Sequence, residues 1–354
     1  MMHLKTNFII DILKILDNPY ITIPAHESWY QHTFTIHLLY HPPYLWETLL
    51  AFLERRAIPG VEFADASSYA RTLLIPQSEY HVSLKGWVSV THDFEHNQLK
   101  VEMSASCYPE LCNILIRLRH LFDLDFNPEV IKTELKEPWI DPHLRLPGGM
   151  DGFEVSVRTI LGQQITVSAA TTLAGRLVKH LGTPFNYGHP HLQYLFPNAS
   201  IIIEAGRQNL LEGGTGIGDV LGPLGITGRR AATIEAVAKA VQSGEIALAP
   251  LPIWQSGALN NDAIMKAEHI MKQLSAIKGI GPWSMHAIAM RALGYPDAFL
   301  ETDIGVINRM RDIYPEIERK DKKKRLAYAE AWRPLRSYAC LLYTSDAADD
   351  SLRV

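Results

Sequence analysis

Residues 274–283 read Leu-Ser-Ala-Ile-Lys-Gly-Ile-Gly-Pro-Trp, and they join two segments with helical periodicity. The first segment has Asn261 or Asp262 as its predicted N-cap. Its apolar stripe consists of Ile264, Ala267, Met271, Leu274 and Ile277. The second segment is expected to begin at Pro282 and to end at Leu293, because Gly294 and Pro296 follow it. The sequence therefore predicts two helices joined by the tight turn Gly279-Ile280-Gly281.

This turn has the features of a phosphate site. Glycine lets the backbone approach a ligand closely, and N–H groups at the start of a helix point outward with the positive end of its dipole. We therefore predict that Gly279, Ile280, Gly281 and Ser284 form a phosphate-binding hairpin. An ordinary αα-hairpin without a ligand is the alternative. Lys278 is expected to be solvated or to face the ligand.

Composition limits the class of protein. The chain has 354 residues, 47% of them hydrophobic, with a formal charge of -4 and three cysteines. This length suits two or three globular domains, and the charge argues against coating nucleic acid through bulk electrostatics. Three cysteines cannot form a disulfide framework, and Cys107 and Cys112 lack a matching Cys/His pair for zinc. With no apolar stretch of membrane-spanning length and no signal-like N-terminus, we expect a cytoplasmic protein.

The pattern of elements divides the chain into four parts. Residues 1–32 form an N-terminal extension of unknown role. Residues 33–123 predict an α+β domain on an antiparallel sheet. Its expected strands are Thr33–Leu38, Tyr69–Ile75, Tyr80–Thr91 and Gln98–Ser104, with helices at Leu45–Leu53 and Leu111–Leu121. Residues 124–339 are expected to be all-α. Residues 340–354 resemble a translated sequencing adapter and are interpreted as an artefact.

A polar turn is expected between the first two long helices of the second domain. Asp151 and Thr166 are predicted N-caps, and between those helices lies Gly162-Gln163-Gln164-Ile165. The glycine-rich segment 211–228 is not read as a nucleotide-binding turn, because no strand precedes it.

Asp303 follows the apolar run Ala298-Phe299-Leu300 and precedes another predicted helix. An acid in this position is unusual. From its position alone, the simpler interpretation is an N-cap formed by Asp303 or by Thr302.

The hairpin and the run Phe299–Asp303 together resemble the helix-hairpin-helix, Gly/Pro-rich loop and Asp signature of base-excision DNA glycosylases. The chain is most similar to the DNA-3-methyladenine glycosylase II (AlkA-like) family, which Asp151–Gln164, Pro42-Pro43-Tyr44 and Trp332-Arg333-Pro334 also fit. The similarity spans roughly residues 33–339. It implies an N-terminal α+β domain before a two-lobed helical domain that carries the helix-hairpin-helix.

The resemblance implies a role for each site residue. Asp303 is the expected catalytic carboxylate, Trp283 lines the base pocket, and Gln164 is the wedge that fills the gap left by a flipped base. From the residue types alone, Trp283 is also consistent with core packing and Gln164 with a surface turn. The carbonyls of Ser275, Ile277 and Ile280 are expected to hold a structural sodium or potassium ion, and no other cofactor is expected.

The expected activity is hydrolysis of the N-glycosidic bond of alkylated bases in double-stranded DNA by a monomer. Trp283 occupies the position of the nucleophilic lysine of lyase-competent members, so strand cutting is not expected. The sequence departs from the family at Ala287, where a close relative has a tyrosine, and beyond Tyr338, where another pocket aromatic is common. Alternatives are a glycosylase for oxidised or mismatched bases and a non-catalytic helix-hairpin-helix DNA-binding module.

Overall fold

The computed structural model describes residues 30–75, 84–135, 141, 143–255 and 257–340. Most of the predicted N-terminal extension, the start of the strand expected at Tyr80–Thr91, and the adapter-like residues after Cys340 lie outside these ranges. Within them, none of the helices has the length and apolar character that a membrane span requires.

The N-terminal part is built on one antiparallel sheet. Its strands are β1 (Thr33–Leu39), β2 (Glu62–Ala64), β3 (Ser68–Ile75), β4 (Leu84–Asp93) and β5 (Gln98–Ser104), in the order β1-β5-β4-β3-β2. The helix α1 (Trp46–Glu54) packs against β2 and β3, and α2 (Leu111–Leu121) follows β5 after a 3-10 segment. Every second side chain on β1 and β5 is buried, as the pleat of a strand requires. These buried side chains form the apolar face of the sheet: Ile36, Leu38, Leu99, Val101 and Met103.

The rest of the described chain is helical. Its helices are α3 (Glu129–Glu134), α4 (Gly152–Leu161), α5 (Val167–Leu181), α6 (Ala199–Leu211), α7 (Ile217–Leu221), α8 (Gly228–Gln242), α9 (Asn261–Ala276), α10 (Pro282–Ile288), α11 (Ile304–Ile313) and α12 (Lys322–Ala329). Two ladders of two-residue strands, Thr183–Pro184 with Tyr194–Leu195 and Trp254–Gln255 with Ala258–Leu259, interrupt them. The predicted α+β class, with a sheet domain followed by a helical domain, is confirmed.

The helix termini follow the predicted capping with one correction. Asp151 accepts a hydrogen bond from the Glu154 N–H at 2.8 Å, and Thr166 accepts one from Ala169 at 3.0 Å, as predicted. The prediction of Asn261 or Asp262 as the cap of α9 is wrong. Asn260 has the extended backbone that a cap requires, and its side-chain oxygen accepts from the N–H groups of both Asp262 and Ala263.

A buried cluster of four charges joins the sheet to α4. Arg71 on β3 lies 3.4 Å from Glu62 and 2.6 Å from Glu154, and Arg158 lies 2.8 Å and 3.0 Å from the same two carboxylates. Tyr69 adds a hydrogen bond to Glu62 at 2.7 Å. Although burial raises the pKa of Glu62, the two arginines and this hydrogen bond bring it below its ordinary value. The cluster therefore fixes α4 against the sheet.

His120, near the end of α2, forms a second contact between the two parts. Its Nε2 lies 2.9 Å from the carbonyl oxygen of Arg291, and its ring fits against Gly148 and Gly294. Burial, opposed only in part by this hydrogen bond, lowers the pKa of His120 to about 4. The ring is therefore neutral in the folded protein at neutral pH.

We expect His120 to make the fold sensitive to acid. Because its folded pKa lies below its ordinary value of 6.5, its stabilising effect is complete above pH 6.5 and is lost as the pH falls towards about 4. The largest loss is about 3 kcal/mol. His120→Gln keeps an N–H donor but does not titrate. Between pH 7 and pH 4.5, the free energy of unfolding in urea should therefore fall less for this variant than for the wild type. Equal decreases in the two proteins would show that His120 is not the source of the acid sensitivity.

Candidate active site

The predicted hairpin lies between α9 and α10, and its first glycine is required by the fold. Gly279 has a φ of +100°, and a Cβ there would lie 2.0 Å from the Oγ1 of Thr233. The Thr233 hydroxyl donates to the carbonyl of Lys278 at 3.1 Å, which fixes the turn against α8. Gly281 differs, because its backbone is extended and an added Cβ would meet nothing within 4 Å. The fold itself therefore does not require glycine at 281.

The start of α10 leaves backbone donors available. Pro282 has no N–H, and the first intrahelical hydrogen bond comes from Met285 to the carbonyl of Gly281 at 2.9 Å. The N–H groups of Trp283 and Ser284 precede it in the first turn. The hydroxyl of Ser284 is buried and accepts a hydrogen bond from Gln163 at 2.9 Å. A phosphate contact by Ser284 would therefore use its backbone N–H.

The two glycines allow a matched test of the hairpin. Gly279→Ala is expected to destabilise the protein by about 1–3 kcal/mol or more. The alanine would have to adopt a left-handed backbone, and its Cβ would clash with Thr233. Gly281→Ala should leave stability within about 0.5 kcal/mol but weaken DNA binding several-fold, since its methyl group lies on the open side of the hairpin. Thermal unfolding and a DNA titration measure both effects. Unchanged DNA affinity of Gly281→Ala would argue against the hairpin as the phosphate site.

Asp303 and Trp283 are brought together. The indole Nε1–H of Trp283 donates to Oδ2 of Asp303 at 3.2 Å, while Oδ1 accepts from the N–H of Val306 at 3.2 Å. Asp303 is therefore the N-cap of α11, as the simpler interpretation of the sequence proposed. Because only one oxygen makes the cap, the other is held beside Trp283 in a partly exposed site.

The loop before Asp303 is held by the segment after α12. Asp297 accepts from Arg336 at 2.7 Å and also pairs with Arg333. The Ser337 hydroxyl accepts from the N–H of Ala298 at 2.9 Å and donates to the carbonyl of Tyr295 at 2.8 Å. These contacts position the loop that carries the carboxylate, and one of them comes from Arg333 of the Trp332-Arg333-Pro334 motif.

Two arginines that were not predicted lie against the ring of Phe52, and one of them, Arg56, interacts with the charge of Asp303. The guanidinium carbon of Arg56 lies 3.8 Å from the centroid of the Phe52 ring, and that of Arg291 lies 4.8 Å from it. Burial lowers the pKa of Arg56 to about 9, with a further decrease from Arg291, whereas the negative charge of Asp303 acts in the opposite direction. Arg291 lies in the π-helical segment Ala289–Leu293, which continues α10. Phe52 of α1 therefore contacts the helical stretch that begins at the hairpin.

The expected wedge residue lies on a strained turn. Gln164 is exposed and has a φ of +58°, in the left-handed region. Its neighbour Gln163 donates from Nε2 to the carbonyl of Gly279 and to the hydroxyl of Ser284, both at 2.9 Å, and its own carbonyl accepts from Arg230. The roles of Gln163, Thr233 and Arg230 were not predicted, since single polar residues in turns and helices carry no periodic signal. The turn and the hairpin are thus in direct contact.

The fold and the site are those of a helix-hairpin-helix DNA repair protein with an aspartate after the hairpin. Residues 157–334 match the HhH-GPD superfamily base excision DNA repair protein family, and residues 35–151 match the AlkA N-terminal domain. The chain belongs to the HhH-GPD superfamily of base excision DNA repair proteins and carries an AlkA N-terminal domain. The predicted AlkA-like glycosylase family is therefore confirmed.

Individual relatives agree with this assignment. The chain is 32% identical to DNA-3-methyladenine glycosylase 2 of Escherichia coli, over 86% of this chain and 94% of that protein. It is 29% identical to the probable bifunctional transcriptional activator/DNA repair enzyme AlkA of Mycobacterium tuberculosis, over 87% of this chain and 56% of that protein. The 3-methyladenine DNA-glycosylase structure from Archaeoglobus fulgidus has the same fold, with a TM-score of 0.64, 19% identity, and coverage of 88% and 96% of the two chains.

Proposed function

We propose that this protein hydrolyses the N-glycosidic bond of alkylated bases of the 3-methyladenine and 7-methylguanine class, flipped out of double-stranded DNA, and does not cut the strand. The observation that supports this most directly is the Trp283–Asp303 hydrogen bond, which places the N–H edge of an indole ring against a carboxylate just beyond the hairpin. We further propose that it acts as a monomer in the cytoplasm.

The chemistry follows from the charge of the damaged base. A base alkylated at N3 or N7 carries a positive charge, which favours contact with the face of Trp283 and makes the base a good leaving group. The remaining barrier lies in the oxocarbenium-like sugar. The Asp303 carboxylate stabilises that charge and is able to accept a proton from the attacking water. The Trp283 indole N–H keeps this carboxylate in one orientation.

DNA recognition is divided between two elements. The first-turn N–H groups of α10 bind a phosphate, and Gln164 fills the space that the flipped nucleotide leaves. The carbonyls of Ser275, Ile277 and Ile280 would hold a sodium or potassium ion, which would add positive charge beside that phosphate. Carbonyl oxygens suit such an ion because hard cations prefer oxygen ligands. The last carbonyls of a helix such as α9 are also available, since no N–H group follows them along the helix. The carbonyl of Ile277 accepts one hydrogen bond, from Ile280, which leaves a lone pair.

Two features of the pocket bear on the reaction and on its substrates. Trp283 has no amine with which to form a Schiff base, so release without lyase activity is expected. Ala287 is small and only partly buried one turn after Trp283. We therefore propose that the range of accepted bases includes ones larger than a methylated purine.

Base release from two substrates tests this function. The protein should release 3-methyladenine and 7-methylguanine from alkylated duplex DNA and leave abasic sites uncut until alkali is added. Release of 8-oxoguanine with strand scission would instead indicate a glycosylase for oxidised bases. DNA binding without release of either base would indicate a non-catalytic binding module.

A further inference from the structure

We propose that Gln163 is a positioning residue that couples the Gln164 wedge to the phosphate-binding hairpin. This inference rests on the proposed function of those two elements. It adds a residue whose side chain makes two hydrogen bonds to the hairpin and whose backbone precedes the wedge.

The contacts of Gln163 join three elements. Its amide nitrogen donates to the Gly279 carbonyl inside the hairpin and to the Ser284 hydroxyl in the first turn of α10, both at 2.9 Å. Its backbone carbonyl accepts from Arg230 on α8. The same helix holds the hairpin through Thr233, which donates to the carbonyl of Lys278 at 3.1 Å. The turn, the hairpin and α8 therefore form a closed set of contacts.

This set of contacts explains how a strained wedge is maintained. A left-handed backbone at a residue other than glycine is unfavourable, so Gln164 keeps its φ of +58° only if the residues around it are fixed. On one side Gln163 is tied to the hairpin and α8. On the other side Ile165 donates to the carbonyl of Gly162, and Thr166 caps α5.

Coupling has a consequence for base flipping. When the hairpin binds a phosphate, its contacts with Gln163 hold the turn that carries Gln164. The Gln164 side chain is therefore ordered before it reaches the duplex. The entropic cost of ordering this turn then does not add to the free energy of unstacking the base. Without the Gln163 amide contacts, the turn and the hairpin would be connected only through their separate contacts with Arg230 and Thr233 of α8. Gln163 therefore acts through Gln164 and does not contact the damaged base itself.

Unstacking can be measured without any chemistry. The probe is 2-aminopurine beside a tetrahydrofuran abasic analogue in duplex DNA, whose fluorescence rises when the base unstacks. At saturating protein, Gln163→Ala and Gln164→Ala should each lower the unstacking equilibrium by on the order of 10-fold. The double variant should lose no more than Gln164→Ala alone, because residues acting through one another are not additive. Ser284→Ala, which removes one of the two acceptors, should give a smaller loss that also disappears in the Gln164→Ala background.

The outcomes separate the possible explanations. Gln208→Ala is the matched control, since this exposed glutamine on α6 pairs only locally with Glu212, and it should unstack DNA as the wild type does. Multiplicative losses of roughly 100-fold in the double variant, or normal unstacking by Gln163→Ala, would overturn the coupling. Thermal unfolding of each variant identifies a general loss of structure. Wild-type protein that unstacks DNA but releases no base would refute the proposed function and leave the coupling intact.

Discussion

Asp303→Asn should lower the single-turnover rate of alkylated-base release by at least roughly 100-fold while binding to damaged DNA is retained. The substitution removes the negative charge that would face the sugar. It keeps an oxygen able to accept from the Val306 N–H, so the cap of α11 survives. The amide cannot accept from the Trp283 indole and cap the helix at once, so the indole contact is weakened.

Asp321→Asn is the matched control for this experiment. Asp321 caps α12 by accepting from the N–H of Lys324 at 2.9 Å, in the same way as Asp303 caps α11. Both variants should unfold within about 1 kcal/mol of the wild type, because asparagine and aspartate are similar N-caps. Only Asp303→Asn should lose base release. Normal excision by Asp303→Asn would show that this residue is a cap and not the catalytic group.

Arg71→Met should destabilise the protein by about 3–5 kcal/mol, the largest effect that we expect on stability. Methionine has a similar length but no charge, so Glu62 and Glu154 would remain buried with only Arg158 between them. Two buried carboxylates would then share one positive charge, which leaves a net negative charge without hydration. Urea unfolding at neutral pH measures the change.

Arg207→Met is the control for an exposed pair. Arg207 lies 2.5 Å from Glu204 on the surface of α6, with both side chains 58% exposed, so its removal should change stability by less than about 1 kcal/mol. Equal effects of the two substitutions would mean that the buried cluster adds no more to folding than a solvated ion pair.

Local chemistry made much of the fold and the site predictable. Asp151 and Thr166 precede helical runs as N-caps do, and Gly281 precedes a proline that begins the next helix. These signals depend on residues a few positions apart, and the structure agrees with them. The association of Asp303 with the hairpin came from family resemblance, because its capping role alone is common to many helices.

Contacts between distant segments were not predictable in the same way. The strand β2 has only three residues, too few for an alternating pattern, and its Glu62 would ordinarily be assigned to a surface. Its burial makes sense only once Arg71 and Arg158 are known to face it. Likewise, nothing in the residues around Gln163 indicates that its side chain reaches Gly279, more than a hundred positions later.

The left-handed backbone at Gln164 also bears on how this enzyme could diversify. Most side chains without branching at Cβ meet a similar penalty there, whereas β-branched ones are strongly disfavoured. Leucine, methionine or arginine could thus replace glutamine with little change in foldability, so evolution or laboratory selection is free to vary the side chain that we propose enters the duplex. We expect libraries at this codon to alter lesion preference and opposite-base preference while expression levels stay constant.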